Sequence, residues 1–104
     1  TDAPLDARQL KRLATRAGAG LARTGSAYGH GSGDIALAFS TAQTIEAEAD
    51  CLHLALLADH LLDPLFHAAA DCVEQAIVHA LFAAESVRGR DGHVRMSLRE
   101  RLAS

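Results

Sequence analysis

The chain has 104 residues and a formal net charge of −3, so bulk charge favours neither nucleic acid nor an anionic membrane as its partner. A chain of this length forms one small domain at most and buries only about two-thirds of its unfolded surface. Apolar residues make up 49% of the sequence, but only 4% are aromatic and Trp is absent. The core therefore requires close packing of small side chains or a partner surface.

Charged residues and cysteines are unevenly distributed along the chain. No Lys or Arg occurs between Asp34 and Ser86, so we expect the basic and acidic elements to pair or to remain solvated. Cys51 and Cys72 lack metal-ligand spacing and are expected to be buried thiols rather than a disulfide.

The sequence shows neither a membrane span nor a targeting signal. The longest apolar run, around residues 52–58, is interrupted by His53 and is too short to cross a bilayer. The lack of a visible targeting segment favours the cytoplasm. The chain also lacks an initiator Met, which indicates processing or truncation.

The first predicted element is a helix. Asp6 followed three residues later by Gln9 predicts a capping box, and the helix should end near residues 23–25. Gly18 and Gly20 each weaken a helix by about 1 kcal/mol relative to Ala, so they indicate close packing against another element. Its apolar face is formed by residues at helical spacing: Leu10, Leu13, Ala14, Ala17 and Leu21.

A glycine-rich loop at residues 25–34 leads into a predicted strand at residues 34–41. The strand alternates large and small side chains, which predicts burial on both faces, with one face allowing close packing. Ser32 and Asp34 lie at the mouth of this strand, where side chains project into a cleft. Taken alone, such residues are most often turn formers, because both side chains bond to local backbone.

The second half of the chain is dominated by one long predicted helix. Residues 42–60 give no decisive period and could form a helix or a strand. Asp63 as N-cap and Pro64 at the first helical position begin a helix over residues 64–87, which we expect to pack on a sheet. Residues 90–104 are expected to form a flexible tail, so residues 1–104 are interpreted as a single, partial domain.

Several runs of the sequence resemble the DmpA-like aminopeptidases, the L-aminopeptidase/D-esterase and beta-peptidyl aminopeptidase group, and specifically their second chain. The resemblance depends on the order and spacing of these runs, since none is specific alone. They are Thr1-Asp2-Ala3-Pro4-Leu5, Gln9-Leu10-Lys11-Arg12-Leu13-Ala14, Gly20-Leu21-Ala22-Arg23-Thr24-Gly25, Gly31-Ser32-Gly33-Asp34, Ala38-Phe39-Ser40-Thr41, Asp63-Pro64-Leu65-Phe66, Ala83-Ala84-Glu85 and Gly89-Arg90-Asp91-Gly92-His93.

The resemblance implies an α/β fold in which this chain supplies part of an α/β/β/α layered sandwich. It implies that Ser32 hydrogen-bonds the nucleophile or its amine and that Asp34, which is Glu in some family members, holds or accepts a proton. In the family, self-cleavage exposes the nucleophilic Ser at the start of the second chain. By register this Ser lies upstream of Thr1, so the chain alone should be inactive.

The resemblance also implies partners and substrates. The first chain of the same precursor is the expected partner, within a homo-oligomer of heterodimers. The expected substrates are peptides, amides or esters that lose an N-terminal residue through an acyl-enzyme. It implies no metal and no organic cofactor. The alternative function is a non-catalytic fragment or interaction module that retains the fold only.

Other residues allow further hypotheses about the site. Thr1 could itself be an N-terminal nucleophile, although the register argues against it. His30 lies in the glycine-rich loop and could bind substrate. His53, His60 and His67 recur every seven residues and could bind a metal with Asp63, but Pro64 favours partly exposed histidines instead. A phosphate-binding loop is excluded, because such a loop follows a strand and opens a helix.

Overall fold

The computed structural model describes residues 1–104 as three helices and a small antiparallel sheet. The helices are α1 (Ala7–Arg23), α2 (Asp63–Ala83) and α3 (Leu98–Ala103), and the strands are β1 (Val87–Arg88) and β2 (Val94–Arg95). Short 3₁₀ helices span Asp59–Leu61 and Arg90–Gly92. The chain is therefore α/β, as the sequence predicts.

Helix α1 begins and ends where the sequence predicts. The Asp6 carboxylate accepts a hydrogen bond from the Gln9 backbone N–H at 2.7 Å, and the Gln9 side chain accepts one from the Asp6 N–H at 3.0 Å. This confirms the capping box, which satisfies two amide groups that the first helical turn leaves free. At the other end, Gly25 has φ 95° and turns the chain out of the helix.

Helices α1 and α2 pack against each other, and Gly20 lies at their closest approach. A Cβ added at Gly20 would lie 2.8 Å from the Cβ of Val73 and would also clash with the Ala70 carbonyl oxygen. Glycine is therefore required for the two backbones to come this close, which confirms the predicted role of Gly20 in close packing.

The N-cap predicted for α2 is wrong by one residue. Leu62 is the N-cap, Asp63 is the first helical residue and Pro64 is the second, and no side chain caps the helix. The preceding 3₁₀ helix already leaves Leu62 with helical angles, φ −78° and ψ −25°, so the helix starts earlier than the Asp-Pro signal indicates.

Helix α2 also ends earlier than the predicted residue 87. Ala84 is extended, with φ −63° and ψ 143°. Two residues later the Ser86 hydroxyl accepts a hydrogen bond from the Ser97 N–H at 2.8 Å. This contact joins the chain after α2 to the end of the β1–β2 hairpin, so residues 84–86 form an irregular connection and Val87 and Arg88 belong to the hairpin.

The core lies between α1 and the start of α2. Leu5, Leu62 and Phe66 are buried together. Five partly buried apolar residues surround them: Ala3, Leu10, Leu13, Leu57 and Leu65. Within this chain α2 packs on α1 rather than on a sheet, and its far end stays exposed at Leu81 and Phe82.

The strand predicted at residues 34–41 is extended but is not buried. Ile35 is 95% exposed, Leu37 87% and Phe39 66%. Only Thr1 pairs with this segment: its nitrogen donates to the Phe39 carbonyl at 3.1 Å, and its carbonyl accepts from the Thr41 N–H at 2.9 Å. The prediction of burial on both faces is wrong for this chain because no second strand covers the segment.

The sequence left helix and strand open for residues 42–60; of these, residues 42–58 form neither, and Asp59 and His60 belong to the 3₁₀ helix Asp59–Leu61. The Leu57 N–H donates to the Pro4 carbonyl at 2.8 Å, and the Gln43 side chain donates to the Ala55 carbonyl at 2.5 Å.

The radius of gyration of the whole chain is 18.9 Å, whereas a compact domain of this size has a radius of gyration of roughly 13 Å. The fold is therefore elongated.

Residues 90–104, predicted to be a flexible tail, contain regular structure. Val87 pairs with Arg95 and Arg88 with Val94 across an antiparallel hairpin. The Ser97 hydroxyl caps α3 by accepting from the Glu100 N–H at 3.2 Å. The mobility of this segment stays a prediction.

The predicted pairing of basic and acidic elements is confirmed, whereas the predicted burial of the cysteines is wrong. Arg8 of α1 lies 2.7 Å from Asp59, and Arg23 lies 3.3 Å from Glu74 of α2. Cys51 and Cys72 are both free and exposed, because no element of the chain covers the surfaces on which they lie.

None of the helices has the length and hydrophobicity that a membrane span requires.

Candidate functional site

The glycine-rich loop leaves α1 and crosses its side before it reaches Asp34. A Cβ atom added at Gly29, Gly31 or Gly33 would meet no atom within 4 Å. One internal hydrogen bond, from the Ser32 N–H to the Gly29 carbonyl at 2.8 Å, shapes the turn. These glycines therefore leave the loop free of packed side chains and present Ser32 and Asp34 to solvent.

The structure brings the two predicted site residues together. The Ser32 hydroxyl donates a hydrogen bond to the Asp34 carboxylate. Because that bond uses only the proton of Ser32, the hydroxyl oxygen can still accept a bond from a third group. The pair can thus orient an external amine or hydroxyl, with the carboxylate stabilising the positive charge or the proton that is transferred.

Ser32 and Asp34 line the mouth of an open cleft with a volume of about 540 Å³, between the loop and the two long helices. This volume lies in the range of small-molecule sites, roughly 300–1,000 Å³. The remaining wall is mainly apolar: Ala14, Ala17, Leu21, Ile35, Ala36, Val73 and Ile77. A few polar groups beside an apolar wall are typical of a binding site.

Tyr28 also lines this cleft and was not identified from the sequence. Its hydroxyl donates to the Gly18 carbonyl of α1. A Cβ at Gly18 would lie 2.5 Å from the Tyr28 hydroxyl oxygen, so the predicted close packing at Gly18 is explained by this ring. The one hint in the sequence is that an aromatic residue stands between Gly25 and Gly29. The sequence does not indicate which surface this residue contacts.

His30 and Thr1 lie outside the cleft. His30 is exposed on the same loop and is absent from the cleft wall, so its role in substrate binding stays a prediction. Thr1 lines a separate, apolar groove, and its hydroxyl accepts from the Ala3 N–H at 3.1 Å. Thr1 is therefore not placed beside Ser32 and Asp34, and the hypothesis that it is itself an N-terminal nucleophile stays a prediction.

The three histidines at seven-residue spacing do not share a helical face. His53 lies in an extended segment, His60 in a 3₁₀ helix and His67 in α2. No group of three or more His, Cys, Asp or Glu side chains is placed to hold a metal ion. The hypothesis of a metal site on these residues is therefore wrong for this chain.

The carboxylate whose pKa is lowered clearly is that of Asp59, which lies away from the cleft. Hydrogen bonds from the Arg8 guanidinium and then from the Gln9 amide lower the pKa of Asp59 from 3.8 to about 2. The Gln9 amide is buried and also donates to the Leu57 carbonyl at 2.7 Å. This network joins the start of α1 to the segment before α2, so its role is structural.

Comparison with known proteins identifies the family. The model of peptidase family S58 matches residues 1–95. Beta-peptidyl aminopeptidase BapA from Sphingosinicella microcystinivorans is 41% identical over 95 residues, which are 89% of this chain and 24% of the relative. The chain thus spans about a quarter of the length of the curated relatives that it matches.

Two solved structures share the fold of the chain. The PH0078 protein from Pyrococcus horikoshii OT3 is 50% identical with a TM-score of 0.91, covering 98% of this chain and 30% of that one. The L-aminopeptidase D-Ala-esterase/amidase from Ochrobactrum anthropi, described as a prototype serine aminopeptidase and a variant of the Ntn hydrolase fold, is 41% identical. Its TM-score is 0.88, over 97% of this chain and 30% of that one. The chain belongs to peptidase family S58.

Proposed function

We propose that this chain is the C-terminal part of a self-processing serine aminopeptidase, which releases N-terminal residues from peptides, amides or esters. The observation that carries the proposal is the hydrogen-bonded Ser32–Asp34 pair at the mouth of the cleft. Membership of peptidase family S58 supports the reaction class, and the relatives named above are described as aminopeptidases.

In the proposed reaction, a Ser from outside residues 1–104 attacks the substrate carbonyl. Its oxygen forms a bond to the carbonyl carbon, the bond to the leaving amine or alcohol breaks, and water later hydrolyses the acyl-enzyme. Ser32 hydrogen-bonds the attacking hydroxyl or the amine of the same residue. Asp34 holds the Ser32 hydroxyl in place and stabilises the proton during transfer to the leaving group.

The proposed enzyme needs a partner chain, for which we propose the first chain of the same precursor. The exposed apolar side chains of Ile35, Leu37 and Phe39 support this, because soluble monomers rarely expose such a row on extended backbone. We propose that the partner completes the sheets of an α/β/β/α sandwich and that such heterodimers assemble further. This chain alone should then show no aminopeptidase activity.

The test is to produce this chain together with its upstream coding region and to measure hydrolysis of aminoacyl p-nitroanilides. Ser32→Ala and Asp34→Asn should each lower kcat/KM by at least about 100-fold, the range found for removal of a proton-transfer group. Asp50→Asn is the matched control, since Asp50 is exposed and makes no hydrogen bond or ion pair. Its kcat/KM should be unchanged.

Two results would contradict the proposal. Full activity in both Ser32→Ala and Asp34→Asn would remove the pair from the chemistry. Folding of this chain without a partner, with a cooperative melting transition and with no gain of activity on adding the upstream region, would favour a non-catalytic interaction module. Absence of any nucleophilic Ser in the upstream coding sequence would give the same conclusion.

A further inference from the structure

The geometry points to Tyr28 as the residue that positions the Ser32–Asp34 pair, through a contact with Gly18 of α1. This inference rests on the proposed function, because it assigns Tyr28 a role in that same site. Tyr28 would not touch the reacting atoms. It would instead fix the position of the loop that carries Ser32 and Asp34.

The hydrogen bonds of the loop show that it has a single polar attachment to the rest of the chain. Residues 26–34 form internal hydrogen bonds at Ser26, at Gly29 and between Ser32 and Asp34. One bond leaves the loop, from the Tyr28 hydroxyl to the Gly18 carbonyl. The orientation of the loop relative to α1 therefore depends on Tyr28.

The packing of the loop leads to the same conclusion. The glycines at 29, 31 and 33 have no side chains and open space around them, so they provide no apolar anchor. Tyr28 adopts φ 49°, a left-handed conformation that is uncommon for residues other than Gly, Asn and Asp. Such a conformation persists when the surrounding structure holds it, and the contact that holds the half-exposed Tyr28 side chain is the one with α1 at Gly18.

Gly18 fits the contact from the other side. A Cβ at this position would lie 2.5 Å from the Tyr28 hydroxyl oxygen and 3.4 Å from its Cζ atom. Even Ala would therefore force the Tyr28 hydroxyl to shift from its position on the Gly18 carbonyl. A glycine in the interior of α1 otherwise only weakens the helix, so its presence at this position is explained by the space that Tyr28 needs.

A loop without this attachment would place Ser32 and Asp34 over a range of positions. Proton transfer and nucleophile orientation require alignment to within a fraction of an ångström, and a displacement of 1 Å can lower the rate about 100-fold. Loss of the contact should therefore reduce kcat. KM should change little as long as the Tyr28 ring is kept, because the rest of the apolar cleft wall belongs mainly to α1 and α2.

The test uses the enzyme assembled from this chain and its proposed partner. Tyr28→Phe keeps the ring and removes only the hydroxyl, and it should lower kcat about three- to tenfold at unchanged KM. Gly18→Ala should lower kcat about tenfold or more. Since Ala is a better helix former than Gly, loss of activity without loss of melting temperature would separate positioning from a general loss of structure.

A double-mutant cycle completes the test. In a Tyr28→Ala background, Gly18→Ala should cause no further fall in kcat, because the hydroxyl that it displaces is gone. Equal effects of Gly18→Ala in both backgrounds would overturn the inference, as would unchanged kcat in Tyr28→Phe and Gly18→Ala.

The Ser32→Ala and Asp34→Asn variants distinguish the two levels of failure. If they abolish activity while the Tyr28 and Gly18 variants remain fully active, only the positioning role is wrong. If they leave activity intact, the proposed function fails and the inference fails with it.

Discussion

Two regions of the molecule carry large apolar side chains of the same kinds but differ in how far they bury them. In the helical region, Phe66 is 7% exposed and packs with Leu5 and Leu62, while the Arg16 guanidinium lies 3.8 Å from the centre of its ring. In the extended region, Phe39 is 66% exposed and Ile35 95%. Side chains of the same kind are buried in one region and in solvent in the other.

The difference follows from how each kind of backbone satisfies its hydrogen bonds. Helices α1 and α2 pair their own amide groups, so each needs only one apolar partner, and each supplies it for the other. The segment at residues 35–41 needs neighbouring strands for both its amides and its faces. Within this chain its backbone pairs only with Thr1, and the Ser40 hydroxyl donates to the Ala3 carbonyl at 2.5 Å. The two helices therefore bury part of their apolar surface against each other, whereas the extended segment leaves its large apolar side chains exposed.

The largest effect that would test this comparison is expected at Phe66. Phe66→Ala removes a ring from the centre of the core and should lower the free energy of unfolding by about 3–5 kcal/mol, the usual cost of Phe→Ala in a core. Loss of the cation–π contact with Arg16 adds to this cost. Chemical denaturation of the chain, monitored by circular dichroism, measures it.

Phe39→Ala is the matched control for Phe66→Ala. In this chain it should change the free energy of unfolding by less than about 0.5 kcal/mol, as for other exposed positions. A large destabilisation by Phe39→Ala, or a small one by Phe66→Ala, would show that the division into a packed and an open region is wrong.

A smaller effect is expected at the crossing of the two helices. Gly20→Ala improves helix propensity by about 1 kcal/mol, but its Cβ would lie 2.8 Å from the Val73 Cβ. Overpacking of this kind costs about 1–3 kcal/mol, so the net result should be a lower melting temperature. Gly31→Ala is the control, since it has open space around it and should leave the melting temperature unchanged. An increase in melting temperature for Gly20→Ala would mean that the helices separate freely.

The sequence predicted the helices better than the sheet, for the same physical reason. The start of α1 is predicted by a local signal, the pair Asp6 and Gln9, and the structure contains both hydrogen bonds of this capping box. The alternation at residues 35–39 correctly indicates an extended chain but not what covers it, because strand burial depends on distant segments. The start of α2 was predicted one residue late because the 3₁₀ helix before it has no sequence signal.

In the candidate site, too, the local contact could be predicted from the sequence and the distant one could not. Ser32 and Asp34 are two residues apart, so their contact could be expected from the sequence together with the family resemblance. Tyr28 reaches across ten residues to a glycine in the middle of a helix, and neither residue type predicts that contact. Contacts that depend on how a loop folds back on a helix have no periodic or motif signal.

The smallest effect concerns pH and the polar contacts at Asp59, which join the start of α1 to the segment before α2. The folded pKa of Asp59, about 2, lies below its ordinary value of 3.8 because Arg8 and Gln9 hydrogen-bond the carboxylate. A carboxylate of this kind stabilises the folded state fully above about pH 4 and loses that contribution as the pH falls from about 4 to about 2. Melting temperatures measured across this interval should therefore fall more steeply in the parent chain than in Asp59→Asn. Both Asp59 and Arg8 are half exposed, so the difference should be small and should shrink in high salt. Identical acid profiles for the two proteins would mean that the buried Gln9 amide, through its bond to the Leu57 carbonyl, joins the start of α1 to the segment before α2 without help from the charge.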